Sequence, residues 1–118
     1  MRNYSKYGNK KVEFDWIKFD SIKEKNRFCD LKILEKAGKI SSLVLQPSYV
    51  LQEKFKDNLG KAIRSIKYNA DFSYKDNNTW MFVAEDVKWS KKILTEAFKI
   101  KFKLAKFKYP NIIFKIVY

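Results

Sequence analysis

Residues 63–88 read IRSIKYNADFSYKDNNTWMFVAEDVK, and the fold turns on this stretch. From Ile63 to Tyr74 the chain alternates. Ile66, Tyr68, Ala70, Phe72 and Tyr74 are apolar or aromatic, while Ser65, Lys67, Asn69, Asp71 and Ser73 are polar. A period of two with β-formers on one phase is the pattern of a half-buried strand. Asp76-Asn77-Asn78 is a hairpin turn signal, which makes Trp80–Lys88 the returning strand. A hairpin closed by an even number of residues around Asn77-Asn78 puts Asp71 and Asp86 on one face. They are then opposite or diagonal, at most ~7–8 Å apart at Cα. Lys88 lies two residues beyond Asp86 and shares its face, whereas Val87 points the other way. Glu85 alternates to the side of Met81, Val83 and Val87, so Asp86 rather than Glu85 is the acid that meets Asp71.

On the N-terminal side, Ser21 and Glu24 form an S-x-x-E capping box that opens a helix, and Ala37-Gly38 closes it. Phe28, Leu31 and Leu34 are its apolar stripe. Leu43–Gln46 and Tyr49–Phe55 read as strands broken at Pro47, and Lys56–Lys61 as a turn. On the C-terminal side, Ser90–Lys108 carries two periods. Phe98–Leu104 alternates with Lys as a strand does, yet Ile93, Ala97, Ile100, Leu104 and Phe107 follow helical spacing over a longer stretch. Length favours a helix. Tyr109-Pro110 ends it, and Ile112–Val117 is a last strand. Residues 1–11 are polar and basic and read as a flexible arm; Val12–Phe19 is aromatic-rich with no clear period. The sequence therefore predicts one α/β (α+β) domain over residues 12–118, ordered helix, strands, helix, strand.

Composition limits the chemistry. Hydrophobic residues make up 46% of the 118, enough for a core, so whole-chain disorder is excluded. There is no His, which removes a Ser-His-Asp triad, a Cys-His pair and every imidazole metal ligand. Cys29 is alone, so neither an internal disulfide nor a zinc ribbon is available. Three glycines, at 8, 38 and 60, cannot make a phosphate-cradling loop. No apolar run reaches the ~20 residues of a membrane span, and the N-terminal segment is too polar for a signal peptide. The expected location is the cytoplasm, without membrane association. Catalysis, where present, falls to carboxylates, lysine and a hard metal ion.

Asp71, Asp86 and Lys88 fit that requirement. Two carboxylates on one face can hold Mg²⁺ (or Mn²⁺), which prefers oxygen ligands and keeps several waters. Such an ion polarises a phosphate and activates a water, and an adjacent ammonium orients that water or offsets developing charge. The same spacing also fits a solvated strand face with an Asp–Lys ion pair. Glu24 has two readings as well. It is used locally in the cap, or it supplies a third carboxylate to the metal from the helix stripe that packs on the sheet. Gln46 is either a polar strand end or a contact to water or nucleotide.

Several of these segments together carry a resemblance. Ser21-x-x-Glu24 leading into LKILEKAG (31–38), Leu45-Gln46-Pro47, Ala70-Asp71-Phe72, Glu85-Asp86-Val87-Lys88 and FKIK (98–101) to Lys108-Tyr109-Pro110 occur in this order. In this the chain resembles a family of small phage proteins within the PD-(D/E)XK nuclease superfamily, from about Phe19 to the C-terminus. The resemblance implies a restriction-endonuclease-like αβββαβ core with a mixed central sheet flanked by helices. It also implies metal-dependent cleavage of DNA, structure-selective as in Holliday-junction resolvases, in the host bacterium's cytoplasm. By position, Asp71 and Asp86 become metal ligands, Lys88 the catalytic lysine, Glu24 a helix-borne acid and metal ligand, and Gln46 an accessory residue. A resolvase-like enzyme also implies a homodimer. The pattern departs at Trp89, where the family has Gly; a bulky ring there either narrows access or stacks on a base.

A formal charge of +13 attracts polyanions, nucleic acid foremost and an anionic membrane surface as well, so the charge alone does not decide. Lys91, Lys92, Lys99, Lys101 and Lys103 are the expected phosphate contacts, on the polar face of the C-terminal helix, with Trp89 and Trp80 as stacking candidates for branched or single-stranded DNA. A solvated basic face fits the same lysines. Two other functions stay open at this level: a non-catalytic nucleic-acid-binding module on the nuclease fold, and a phage protein that blocks a host enzyme.

Overall fold

The structure, a computed structural model, describes residues 12–14 and 17–118. The basic arm expected over residues 1–11 lies outside the described residues. Strands β1 (Val12–Phe14) and β2 (Ile17–Phe19) pair antiparallel and lead into helix α1 (Ile22–Lys36). Ser21 caps this helix, its hydroxyl accepting from the Glu24 N–H at 3.1 Å, as the capping signal requires. Gly38, at φ 77°, stops it. The Lys39 N–H reaches back to the Leu34 carbonyl and the Gly38 N–H to that of Glu35, the paired bonds of a Schellman closure.

Next come β3 (Ile40–Leu45), β4 (Ser48–Gln52), and a small hairpin of β5 (Phe55–Lys56) and β6 (Ala62–Ile63). They are followed by β7 (Ile66–Asn69), β8 (Phe72–Asp76) and β9 (Phe82–Val87). A 3-10 turn (Lys91–Ile93) precedes helix α2 (Glu96–Lys108), and β10 (Ile112–Val117) ends the fold. The central sheet has the order β10-β9-β8-β3, with β9 and β10 parallel and the other neighbours antiparallel. Parallel strands need a crossover, and α2 supplies it. Without the side ribbons the order is helix, three antiparallel strands, helix, parallel strand. The expected mixed sheet is present.

Both faces of the sheet are covered. On one, Phe28 and Leu31 of α1 pack with Phe19, Ile40, Phe72, Tyr74 and Val83. On the other, Ala105 of α2 packs with Tyr68, Ala70, Ala84 and Phe114, and Phe98 and Phe102 close the cluster. Val83 and Ala84 are consecutive and serve opposite cores, which is why the first half of β9 is apolar without alternation.

The structure corrects the sequence reading in three places. First, Ile63–Tyr74 is not one strand. Ile63 ends β6, paired with β5, and the rest divides into β7, paired with β4, and β8, paired with β3 and β9. The break falls at Ala70-Asp71, opposite Gln46-Pro47. The Gln46 N–H donates to the Asp71 carbonyl at 2.9 Å and the Ala70 N–H to that of Pro47 at 3.0 Å, so pairing runs through the corner. Gln46 sits at φ 51°, a left-handed conformation that turns the ribbon. Tyr68 and Ala70 consequently join the α2 core, while Phe72 and Tyr74 join the α1 core. Second, the strand expected over Tyr49–Phe55 ends at Gln52, and the one expected over Leu43–Gln46 starts earlier, at Ile40, where the Schellman turn releases the chain.

Third, the C-terminal helix starts at Glu96, where the Thr95 hydroxyl accepts from the Phe98 N–H at 3.1 Å. Lys91 and Lys92 therefore lie on the 3-10 turn, not on the helix. The stripe Ile93, Ile100, Leu104 and Phe107 faces outward, with Phe107 86% exposed. The helix buries Phe98, Phe102 and Ala105 instead, because these meet the aromatic cluster of Tyr68 and Phe114. At 100° per residue, Lys99 and Lys103 line one flank of the outer stripe and Lys101 the other, so the lysines form two rows rather than one face.

Candidate active site

The site lies where β8 and β9 part company. β8 pairs with β9 in the register Phe72 opposite Glu85, which carries Asp71 next to Asp86. The Asp71 N–H still donates to the Glu85 carbonyl at 2.8 Å, after which the chain turns away into the β7 ribbon. This departure leaves the Val87 N–H without a backbone acceptor on that side. The Asp71 carboxylate takes its place, with Oδ2 accepting from Val87 at 2.6 Å. Asp71 is thus held at its N–H, its carbonyl and its carboxylate, which fixes the side chain against the end of β9.

Asp86 is 5% exposed. Its Oδ2 accepts from the Tyr68 hydroxyl at 2.8 Å and its Oδ1 lies 3.1 Å from Lys88 Nζ. The Lys88 ammonium also rests over the Phe98 ring, 4.5 Å from its centroid, which ties it to α2. Asp86 and Lys88 therefore share the α2 side of the sheet, as strand alternation requires. Glu85 takes the other side. It is fully buried and receives Arg27 Nε at 2.7 Å and a second guanidinium nitrogen at 2.6 Å, together with the Tyr74 hydroxyl. Burial alone would raise its pKa, but the Arg27 and Tyr74 hydrogen bonds and the Lys115 charge hold it below the ordinary glutamate value. Glu85 is a structural anion.

Glu24, in the first turn of α1, is 5% exposed and points inward. Burial, followed by the negative charges of Asp71 and Asp20, pushes its pKa up to about 7, against a hydrogen bond from the Asp20 backbone. The Asp86 charge adds to this. Asp71 is pushed up to about 6, by burial first and then by Asp86, while the Val87 N–H and Lys88 oppose the rise. Three carboxylates thus sense one another, with Lys88 as the cation that acts on Asp71. Among the described residues no set of three or more His, Cys, Asp or Glu side chains encloses a metal position. The donors are hard oxygens only. Such a set suits Mg²⁺, which takes one or two carboxylates and completes its shell with water and phosphate.

Tyr68 was not singled out by the sequence. Its aromatic character reads as core, and it is 3% exposed; only its hydroxyl reveals a role. Burial and the Asp86 charge raise its pKa, so it stays a proton donor to Asp86. Tyr68→Phe leaves Asp86 Oδ2 without that partner. The loss of stability should be only about 1–2 kcal/mol. A urea melt of Tyr68→Phe beside wild type checks it, and an unchanged midpoint would refute the contact's contribution.

The remaining expected residues fall as follows. Gln46 touches Asp71 through its backbone, and its side chain is exposed. Trp89 follows Lys88 and is 64% exposed, with Lys23 Nζ 5.5 Å from its ring centroid. Trp80 lies at the hairpin tip, six residues before Asp86, or about 20 Å along the strand, so it is not beside the site. It pairs there with Lys75, 4.2 Å from its ring. Lys91, Lys92, Lys99, Lys101 and Lys103 are all exposed.

Residues 4–118 match a family described as protein of unknown function, DUF1064. No curated protein and no solved structure matches the chain. Among the described residues no helix is long and apolar enough to cross a membrane.

Proposed function

We propose that this chain, which belongs to the DUF1064 family, is a metal-dependent endonuclease that hydrolyses phosphodiester bonds in DNA. One observation carries the reading. Asp71 is pinned at the end of β9 beside Asp86, and the Lys88 ammonium lies 3.1 Å from the Asp86 carboxylate. The sequence resemblance to PD-(D/E)XK nucleases and the net charge of +13 support the same conclusion.

Asp71 and Asp86 would hold Mg²⁺, with Glu24 contributing directly or through water. The ion when bound supplies Lewis-acid polarisation of the phosphate and a more acidic water. The chain's own residues do the rest. Val87 N–H and the Tyr68 hydroxyl fix the two carboxylates before substrate arrives, which removes reorganisation from the reaction. Lys88, 30% exposed at its side chain, faces solvent enough to meet a phosphate oxygen or an attacking water. The exposed lysines of the 3-10 turn and α2 attract the backbone without reading sequence. The test is a panel of branched, single-stranded and duplex DNA, with and without Mg²⁺ or Mn²⁺. Cleavage of at least one form, only with metal, is expected. No cleavage of any form leaves a non-catalytic binding module as the better reading.

A pH dependence follows from the raised carboxyls. A group whose pKa rises on folding binds extra protons in the native state, so its stabilisation is full at low pH and is lost as pH climbs through the folded value. For Glu24 the window runs from its ordinary 4.5 to about 7, and for Asp71 from 3.8 to about 6. Metal-free protein should therefore lose on the order of 2–3 kcal/mol from Glu24 between pH 4.5 and 7. Mg²⁺ should restore stability more at pH 8 than at pH 5, and cleavage should rise through pH 6–7. Thermal melts of wild type and Glu24→Gln across this range check it. A metal-free profile that is identical in the two proteins removes Glu24 from the cluster.

A further inference from the structure

We infer that Trp89 is a base-stacking platform and that the substrate carries an unpaired nucleotide next to the scissile phosphate. This rests on the nuclease reading and names its substrate class. Trp89 directly follows Lys88 on the chain end that leaves β9, and its ring lies toward the first turn of α1, where Lys23 precedes Glu24. A tryptophan is costly to leave in water, yet this one is 64% exposed. It is also held in place. Lys23, one residue before Glu24 on α1, sets its ammonium 5.5 Å from the ring centroid, which braces the indole from the helix side.

Lysines flank Trp89 in space and along the chain. Lys23 lies on one side, Lys88 precedes it, and exposed Lys91 and Lys92 follow within the 3-10 turn that Ser90 caps. An exposed aromatic among lysines is the composition of single-strand sites, where the bases stack and the backbone is neutralised. Paired bases in a duplex present only their edges to the grooves, so a flat ring beside the scissile phosphate has nothing to stack on until a base is unpaired. Trp80 also stands in water, but at the far end of the hairpin with Lys75, too remote to report on the same nucleotide.

The experiment compares wild type, Trp89→Ala and Trp89→Phe in binding a 20-nucleotide oligothymidylate and a duplex of equal length, at one salt concentration, without divalent metal. Fluorescence anisotropy gives the affinities. Quenching of the intrinsic emission follows stacking, and its loss in Trp89→Phe assigns it among the three tryptophans. Wild type should favour the single strand, Trp89→Ala should lose roughly 5- to 100-fold there, and Trp89→Phe should keep most of the affinity. Thermal melts and Lys23→Ala supply the control. If Trp89 only anchors Lys23, both alanine variants melt earlier and bind DNA as before, which overturns the inference. A wild type that prefers duplex overturns it too. Cleavage is scored separately: lost stacking with intact cleavage refutes this inference alone, while preserved stacking with no cleavage refutes the nuclease reading alone.

Discussion

Asp86→Asn should abolish Mg²⁺-dependent cleavage while the protein binds DNA as tightly as before or more tightly. The substitution is isosteric and its amide oxygen still accepts from the Tyr68 hydroxyl, so the packing of a residue that is 5% exposed is kept. What is lost is one of the two charges that would hold the ion and the partner of the Lys88 ammonium. Several kcal/mol of metal-derived transition-state stabilisation go with it, and at 1.36 kcal/mol per tenfold the rate should fall by roughly 10³-fold or more. Binding is spared because an anion facing the phosphodiester has been removed. The measurement is a time course of nicking beside a filter-binding isotherm, with circular dichroism to establish folding. Cleavage at the wild-type rate would move the chemistry elsewhere in the chain.

The largest effect on stability is expected at the opposite face of the sheet. Glu85 has no exposure, and Arg27 reaches it with two nitrogens at 2.7 and 2.6 Å. Removing one partner of a buried pair strands the other charge, at a cost of about 3–5 kcal/mol. Arg27→Ala should fall near the lower end. Lys115 remains 3.5 Å from the same carboxylate, but it is half-exposed and offers a single contact. Urea unfolding should show the midpoint dropping with little change in slope. The companion variant Arg27→Met/Glu85→Leu removes both charges together and should recover most of the loss. If it unfolds as readily as Arg27→Ala, the pair contributes through shape rather than charge.

The two acids of Glu85-Asp86 thus have separate duties, one holding α1 to the sheet and the other facing Lys88. That division was legible in the sequence, because adjacent strand residues must point to opposite faces. So was the neighbourhood of Asp71 and Asp86, since hairpin register follows from a short loop; the observed pairing of Phe72 with Glu85 preserves it. The start of α1 at Ser21 and the limits of β10 are local signals too, set by a hydroxyl and by a proline.

Other features had no local signature. The alternation from Ile66 to Tyr74 is unbroken in sequence, yet its two halves face different cores, because a left-handed Gln46 on the partner strand bends the ribbon. That corner is what frees the Asp71 carboxylate to accept from Val87. The Tyr68–Asp86 bond and the Arg27–Glu85 pair join residues 18 and 58 positions apart, beyond any spacing rule. The last helix makes the division plainest. It carries two apolar stripes at helical spacing, one through Ile100, Leu104 and Phe107 and one through Phe98, Phe102 and Ala105. Period tells that a helix forms. Which stripe is buried is a question of phase, decided only when Tyr68 and Phe114 present an aromatic surface for it to meet. The sequence alone determined the two helices, the hairpin that brings Phe72 opposite Glu85, the last strand, and the parity of Asp71, Asp86 and Lys88, because these follow from neighbours along the chain. The corner, the partners of each acid and the buried face of α2 were decided by contacts that exist only once distant segments pack.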